Sequence, residues 1–522
     1  MAKVKATDLI DYTRASNGTA LAKVSYGDEL VTNGNFDTDV SGWTVNANGS
    51  LSLSSNRLRI TNVSGRGGAY TSFATEVGKV YSISLDVPDS DNPPSAFWVF
   101  SGTAPNTSGN FSVFNEPAGS HEYSFVASST TTYLTLYVSN NSVASYTEFD
   151  NVSVKEVLFD QPGGTLQLFN HPTNIPRIEY DADGNLLGLL IEESRTNLVT
   201  SSEDFTDASW TKSEVSVSSD TTSTPSGETA SLIIPSTSAL SHFLYASISL
   251  SAQAYTQSVY AKAGGYNYIA VQSFGDGILK SCYFDLLNGT AGTPSNCTAS
   301  IQNVENGWYR CAITFTPGAA SHTVQFNPST DGSTINKAGD GTSGIYVYGA
   351  QLEAGAFPTS YIPTYGATAT RSADVASIPV ADFGYNQSEG SVVVEFESKI
   401  NSDLNYVWDL SFDSSNRMFS KASITQNLRV IVGGANQANI TAVPDAGQFN
   451  KYAYAIKRDD MGLSKNGEAP TIDASGSIVE NPTTLQIGAA INGTAGYLDG
   501  HIKSIKYYPR RLSNAQLQEL TT

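Results

Sequence analysis

Short runs of alternating apolar and polar residues, broken every few positions by Gly, Asn, Ser or Pro, make up most of this chain. Tyr81-Ser-Ile83-Ser-Leu85-Asp-Val87 and Tyr133-Leu-Thr-Leu-Tyr137 show the pattern most clearly. A period of two puts successive side chains on opposite faces of a strand, so each run has one face to bury and one to expose. Similar runs occur at Leu51–Leu53, Arg57–Thr61, Ala96–Phe100, Glu122–Val126, Thr132–Val138 and Glu148–Val157. Runs of this length joined by turn residues predict antiparallel β-sandwiches. The expected fold class is therefore all-β, as tandem antiparallel sandwiches. One helix is predicted, Asn514–Leu520, with Ser513 placed to cap it.

Composition agrees and excludes several classes. A chain of 522 residues suggests about three domains, and 40% hydrophobic residues give each a core. The net charge of −20 repels phosphate backbones, and no Lys/Arg cluster offsets it, so nucleic acid is not an expected partner. No apolar segment follows Met1 and no run of about 18 apolar residues exists, so neither a signal peptide nor membrane insertion is expected. Three cysteines, Cys282, Cys297 and Cys311, suit buried thiols in a reducing cytoplasm better than a disulfide framework, although a Cys282–Cys297 bridge stays open. Without secretion, the Asn-x-Ser/Thr triplets at Asn62, Asn106 and Asn110 are by-products of composition.

Five segments are expected: a lead-in or attachment segment over 1–27, a jelly-roll module over 28–158, a connector over 159–198, a second jelly roll over 199–367, and a third sandwich over 368–522. The first module opens on Asn33-Gly-Asn-Phe36 and Gly42-Trp43 and closes on Phe149-Asp-Asn-Val-Ser-Val154. The second repeats the plan, from Phe205 and Trp210 to Ile345-Tyr-Val-Tyr348. In the connector, Asp183-Gly184 between two apolar runs predicts a hairpin turn rather than a calcium loop, since the later acidic ligands are missing.

These end motifs resemble carbohydrate-binding modules of the jelly-roll type. The order Ser391–Glu397, Asn466-Gly467, then Gly500-His-Ile-Lys-Ser-Ile505 resembles a concanavalin A-like (laminin G-like) sandwich. Three longer strings, Gly184–Leu198, Asn306-Gly-Trp-Tyr-Arg-Cys311 and Gly349–Thr364, together with Tyr12-Thr-Arg-Ala-Ser16, resemble structural proteins of tailed bacteriophages. That resemblance implies a non-enzymatic virion protein, a tail fibre or appendage that adheres to host-surface glycans, or alternatively a capsid decoration or head fibre. Its implied partners are other virion proteins, host glycans and itself, as a homo-oligomer and most simply a trimer.

Residues suited to chemistry are sparse. His121, His171, His242, His322 and His501 show no metal-ligand spacing, and no nucleophile elbow or phosphate loop is present, so no cofactor or metal is expected. Glu395 and Glu397 share a strand face roughly 7 Å apart, near the separation that glycoside hydrolysis uses. The catalytic strand of concanavalin-like glycosidases is similar to Glu-x-Asp-x-x-Glu, and here the central Asp and final Glu are missing. No catalytic residue is assigned, and a polysaccharide-degrading enzyme is the alternative from another class. Sugar rings stack on flat aromatic faces. The candidate carbohydrate-binding residues are Trp98 and Phe100, Tyr133 and Tyr137, and Tyr266 and Tyr268, each pair on one strand face. Trp43, Trp210 and Trp308 are assigned to cores.

Overall fold

A computed structural model describes the chain except residues 1–9, 47, 89–96, 117, 319, 400–401 and 426. It is all-β: antiparallel sheets throughout, with Asn514–Leu520 the one α-helix among the described residues. Ser513 caps that helix with a reciprocal pair of bonds to Gln516, at 3.3 and 3.0 Å. Two compact units are present: Lys23–Pro172 with Ser226–Glu228, and the remainder.

The smaller unit is a jelly-roll sandwich. One sheet has five strands, in the order Thr44–Val45, Gly68–Ala74, Thr131–Val138, Phe97–Gly102 and Phe111–Glu116. The opposing sheet centres on Val80–Val87 and the long strand Tyr146–Phe159. Leu134, Leu136 and Val138 point into the core with Phe36, Trp43, Phe97 and Phe149. The Asn-Gly-Asn-Phe opening has a steric reason. A Cβ on Gly34 would lie 1.8 Å from the Val152 carbonyl oxygen, so only glycine lets the entry segment close against the strand that ends the module.

The larger unit holds two sandwiches. The second module pairs two six-stranded sheets around Phe205, Trp210, Phe284 and Phe326, and Trp308 is also buried. All three cysteines are free thiols; Cys282 and Cys311 lie in this core, and burial pushes the Cys282 thiol up to about 11.

The third sandwich is larger than its own segment. Its two sheets have seven strands each, and three of those strands come from outside residues 368–522. Asp11–Thr13, from the segment expected as a lead-in, pairs with Val375–Pro379. Ile178–Tyr180 and Leu186–Ile191, from the expected connector, form a hairpin that joins the other sheet through Gly500–Tyr508. The turn of that hairpin is fastened by Asp181, which accepts the Asp183 and Asn185 amides at 3.0 and 2.8 Å.

At this junction the distant motif strings meet. Arg14, Arg177 and Arg371, each with a fully buried side chain, surround the equally buried Asp374 and the nearly buried Glu192. Tyr12 donates to Asp374, and the Glu192 carboxylate accepts from the Ser360 hydroxyl at 2.7 Å. Burial alone would raise the Glu192 carboxyl, but Arg371 and Arg177 outweigh it and hold it below its ordinary range. The strings around Tyr12, Glu192 and Ser360 thus meet, with Arg177 and Asp374, in one buried polar knot.

Candidate functional site

The five-stranded sheet of the smaller unit has an inner face and an outer face, and the strand alternation decides what each carries. Along Thr131–Val138, Leu134, Leu136 and Val138 turn inward, so Tyr133 and Tyr137 turn out, both half-buried. On Phe97–Gly102, Phe97 and Val99 belong to the core and Phe100 is outward. The same phase puts Tyr70 outside on Gly68–Ala74 and Phe114 outside on Phe111–Glu116, where it is 52% exposed.

The rings meet across strands. Phe100 packs against Tyr137 and Phe114, with centroids 5.3 Å apart in both cases. Tyr70 lies 6.2 Å from Tyr133. Tyr133 and Tyr137 are four residues apart on one strand, roughly 13 Å, so the face offers two separate stacking positions. The Tyr137 ring lies over Gly68, where a Cβ would come within 2.7 Å of it. Its hydroxyl accepts from the Asn46 amide at 2.8 Å, and Asn106 donates to the Asn46 carbonyl oxygen at 3.4 Å. Burial raises the Tyr137 phenol above its ordinary value, so it stays neutral and able to donate. Flat apolar surface edged by amides and a phenol suits a ligand with an apolar face and peripheral hydroxyls.

The proposed residues fare unequally. Phe100, Tyr133 and Tyr137 come together on this face, and the Trp98 side chain lies outside the described residues. Tyr70, Phe114 and Asn46 join them without having been singled out. In the second module Tyr266 precedes the strand Tyr268–Phe274 rather than sharing it. Its ring packs against the core and its hydroxyl accepts the Asp340 amide at 2.8 Å. Tyr268 lies against Gly332 instead, with a Cβ there coming within 2.6 Å of its ring.

The carboxylate pair is engaged elsewhere. Glu395 lies 3.5 Å from Lys503. Glu397 accepts from His501 at 2.7 Å, and the other imidazole nitrogen meets Glu179 at 2.6 Å. Burial pushes the Glu397 carboxyl up, but His501 and Lys399 more than reverse this and hold it near about 2. Burial likewise lowers the His501 imidazole, while the two carboxylates raise it above its ordinary value. A general acid in glycoside hydrolysis needs a raised carboxyl pKa, the opposite of what Glu397 has.

No family model matches this chain, and no curated protein matches it. Among solved structures, domain 4 of an extracellular arabinanase from Geobacillus stearothermophilus, in complex with arabinotriose, is similar over 32% of this chain and 82% of its own, at 13% identity and a TM-score of 0.23. The N-terminal tandem CBM22 domain of Paenibacillus barcinonensis Xyn10C is similar over 64% of this chain and all of its own, at 12% identity and a TM-score of 0.21. A Trypanosoma rangeli sialidase spans 98% of this chain and 93% of its own, at 9% identity and a TM-score of 0.23. At those scores the likenesses carry no functional argument.

Proposed function

We propose that this chain is a non-enzymatic structural protein of a tailed-phage particle, a tail fibre or appendage that holds host-surface glycan on the outer aromatic face of its first module. The observation that carries the adhesive part is the ring cluster Tyr137–Phe100–Phe114, outward-facing and edged by Asn46. Aromatic side chains left half-exposed side by side on a folded sheet give up apolar burial that a core would otherwise use. The placement on a phage particle rests on the motif strings, and a capsid decoration or head fibre fits them equally.

Binding of the full-length chain to host envelope polysaccharide tests the adhesive part. Phe100→Ala and Tyr137→Ala should each weaken it by about ten-fold, with the melting temperature nearly unchanged, because both rings lie outside the core. Unaltered binding in the double variant would remove the face from the mechanism.

A further inference from the structure

The larger unit contains a cleft of about 430 Å3, separate from the aromatic face and lined by residues from three of the motif strings, among them Glu192, Arg310 and Phe357. One wall is Thr298–Glu305, the edge strand of a six-stranded sheet, which presents the exposed Ser300 and Gln302. Glu179 lines the cleft as well, and Phe357 gives it an apolar wall. Sites for small ligands have volumes of about 300–1,000 Å3, with a few fixed polar groups set in less polar walls.

The charged groups in the cleft are not equally available. Glu192 is held by Arg177 at 2.9 Å and Arg371 at 3.4 Å, and Glu179 by His501 at 2.6 Å. Lys399 lies 3.5 Å from Glu397. Arg310 is different. It is only 8% exposed, yet its two hydrogen-bond partners are neutral: the Thr359 carbonyl at 2.6 Å and the Ser258 hydroxyl at 3.0 Å. It makes no ion pair among the described residues, and its guanidinium lies 5.5 Å from the centre of the neutral Tyr260 ring. A guanidinium offers five N–H donors in a rigid fork that matches a carboxylate, and a buried cation without a counter-charge is costly.

We infer that the cleft binds a sugar acid, with the carboxylate on Arg310, the hydroxyls on Ser300 and Gln302, and the apolar ring face along Phe357. The ligand is a free uronic acid or the uronic acid ending a glycan chain. Isothermal titration of the full-length chain with sodium glucuronate, with a trisaccharide ending in glucuronate, and with glucose tests this. Saturable binding of either acid is expected, with glucose weaker by about ten-fold or more, and a tighter trisaccharide identifies the chain end as the source. Ser300→Trp fills the cleft from an exposed edge-strand position that the fold does not need, and should abolish binding without changing the melting temperature. Phe100→Ala should leave it intact, which separates this site from the aromatic face. Equal affinity for glucose, no binding of either acid, or binding undiminished in Ser300→Trp would overturn the inference.

Discussion

Single buried charges in the third sandwich set measurable properties. Arg177 bridges Asp374 and Glu192 from a fully buried position, so removing it takes away the one cation within 3 Å of both carboxylates. Arg177→Met should therefore cost about 3–5 kcal/mol in chemical denaturation, the range for breaking a buried pair from one side. A loss below about 1 kcal/mol would mean that the knot contributes little. Asp499 predicts a pH effect of definite sign. Burial, and then the nearby Glu193, push its carboxyl up to about 8, so the folded state keeps a proton that the unfolded chain releases near pH 4. The folded state then binds more protons across that interval, and stability from this group is full below about pH 4 and falls as pH rises toward 8. Asp499→Asn should flatten that part of the melting-temperature profile; an unchanged slope would show that another group is responsible. Gly355 shows why one motif position is glycine: its φ is +147°, and a Cβ would lie 1.3 Å from an Arg195 guanidinium nitrogen.

At the scale of elements, the third sandwich depends on strands borrowed from far away. Residues 368–522 alone lack Asp11–Thr13, Ile178–Tyr180 and Leu186–Ile191, which leaves Val375–Pro379 and Gly500–Tyr508 as uncovered edges. Expressed by itself, that segment should show poor amide dispersion and rapid proteolysis, while residues 23–172 should unfold cooperatively; a well-dispersed spectrum from 368–522 would contradict this. Much of the strand content was legible because period-two text reports which face is buried, and Tyr133, Tyr137 and Phe100 followed from it. Tyr70 was equally readable, since Ala69, Thr71 and Phe73 alternate inward around it. It escaped because a lone tyrosine between small residues does not look like half of a pair. Strand partnership was not legible. A three-residue strand such as Asp11–Thr13 shows no period of its own, and its pairing depends on residues hundreds of positions away. Nor does alternation reveal that Tyr266 stops short of the next strand.

At the scale of the whole molecule, a shallow aromatic face binds one sugar weakly, because association entropy consumes most of what stacking supplies. Repetition about a symmetry axis converts weak contacts into avidity through effective concentration. Light scattering on purified protein should give three times the chain mass, and a monomer mass there and in the particle would count against the fibre proposal. The knot around Asp374 has a consequence in time as well. Tyr12 and Asp374 are 362 residues apart, and a ribosome adding about 5–20 residues per second needs roughly 20–70 s to cover that interval. Sheet and loop formation take microseconds to seconds, so the first module has ample time to complete itself. Through that wait Asp11–Thr13 lacks the strand it pairs with, and its own sandwich closes only once residues 368–522 have emerged. Asp11–Thr13 therefore stays unpaired until Val375–Pro379, made hundreds of residues later, is there to receive it.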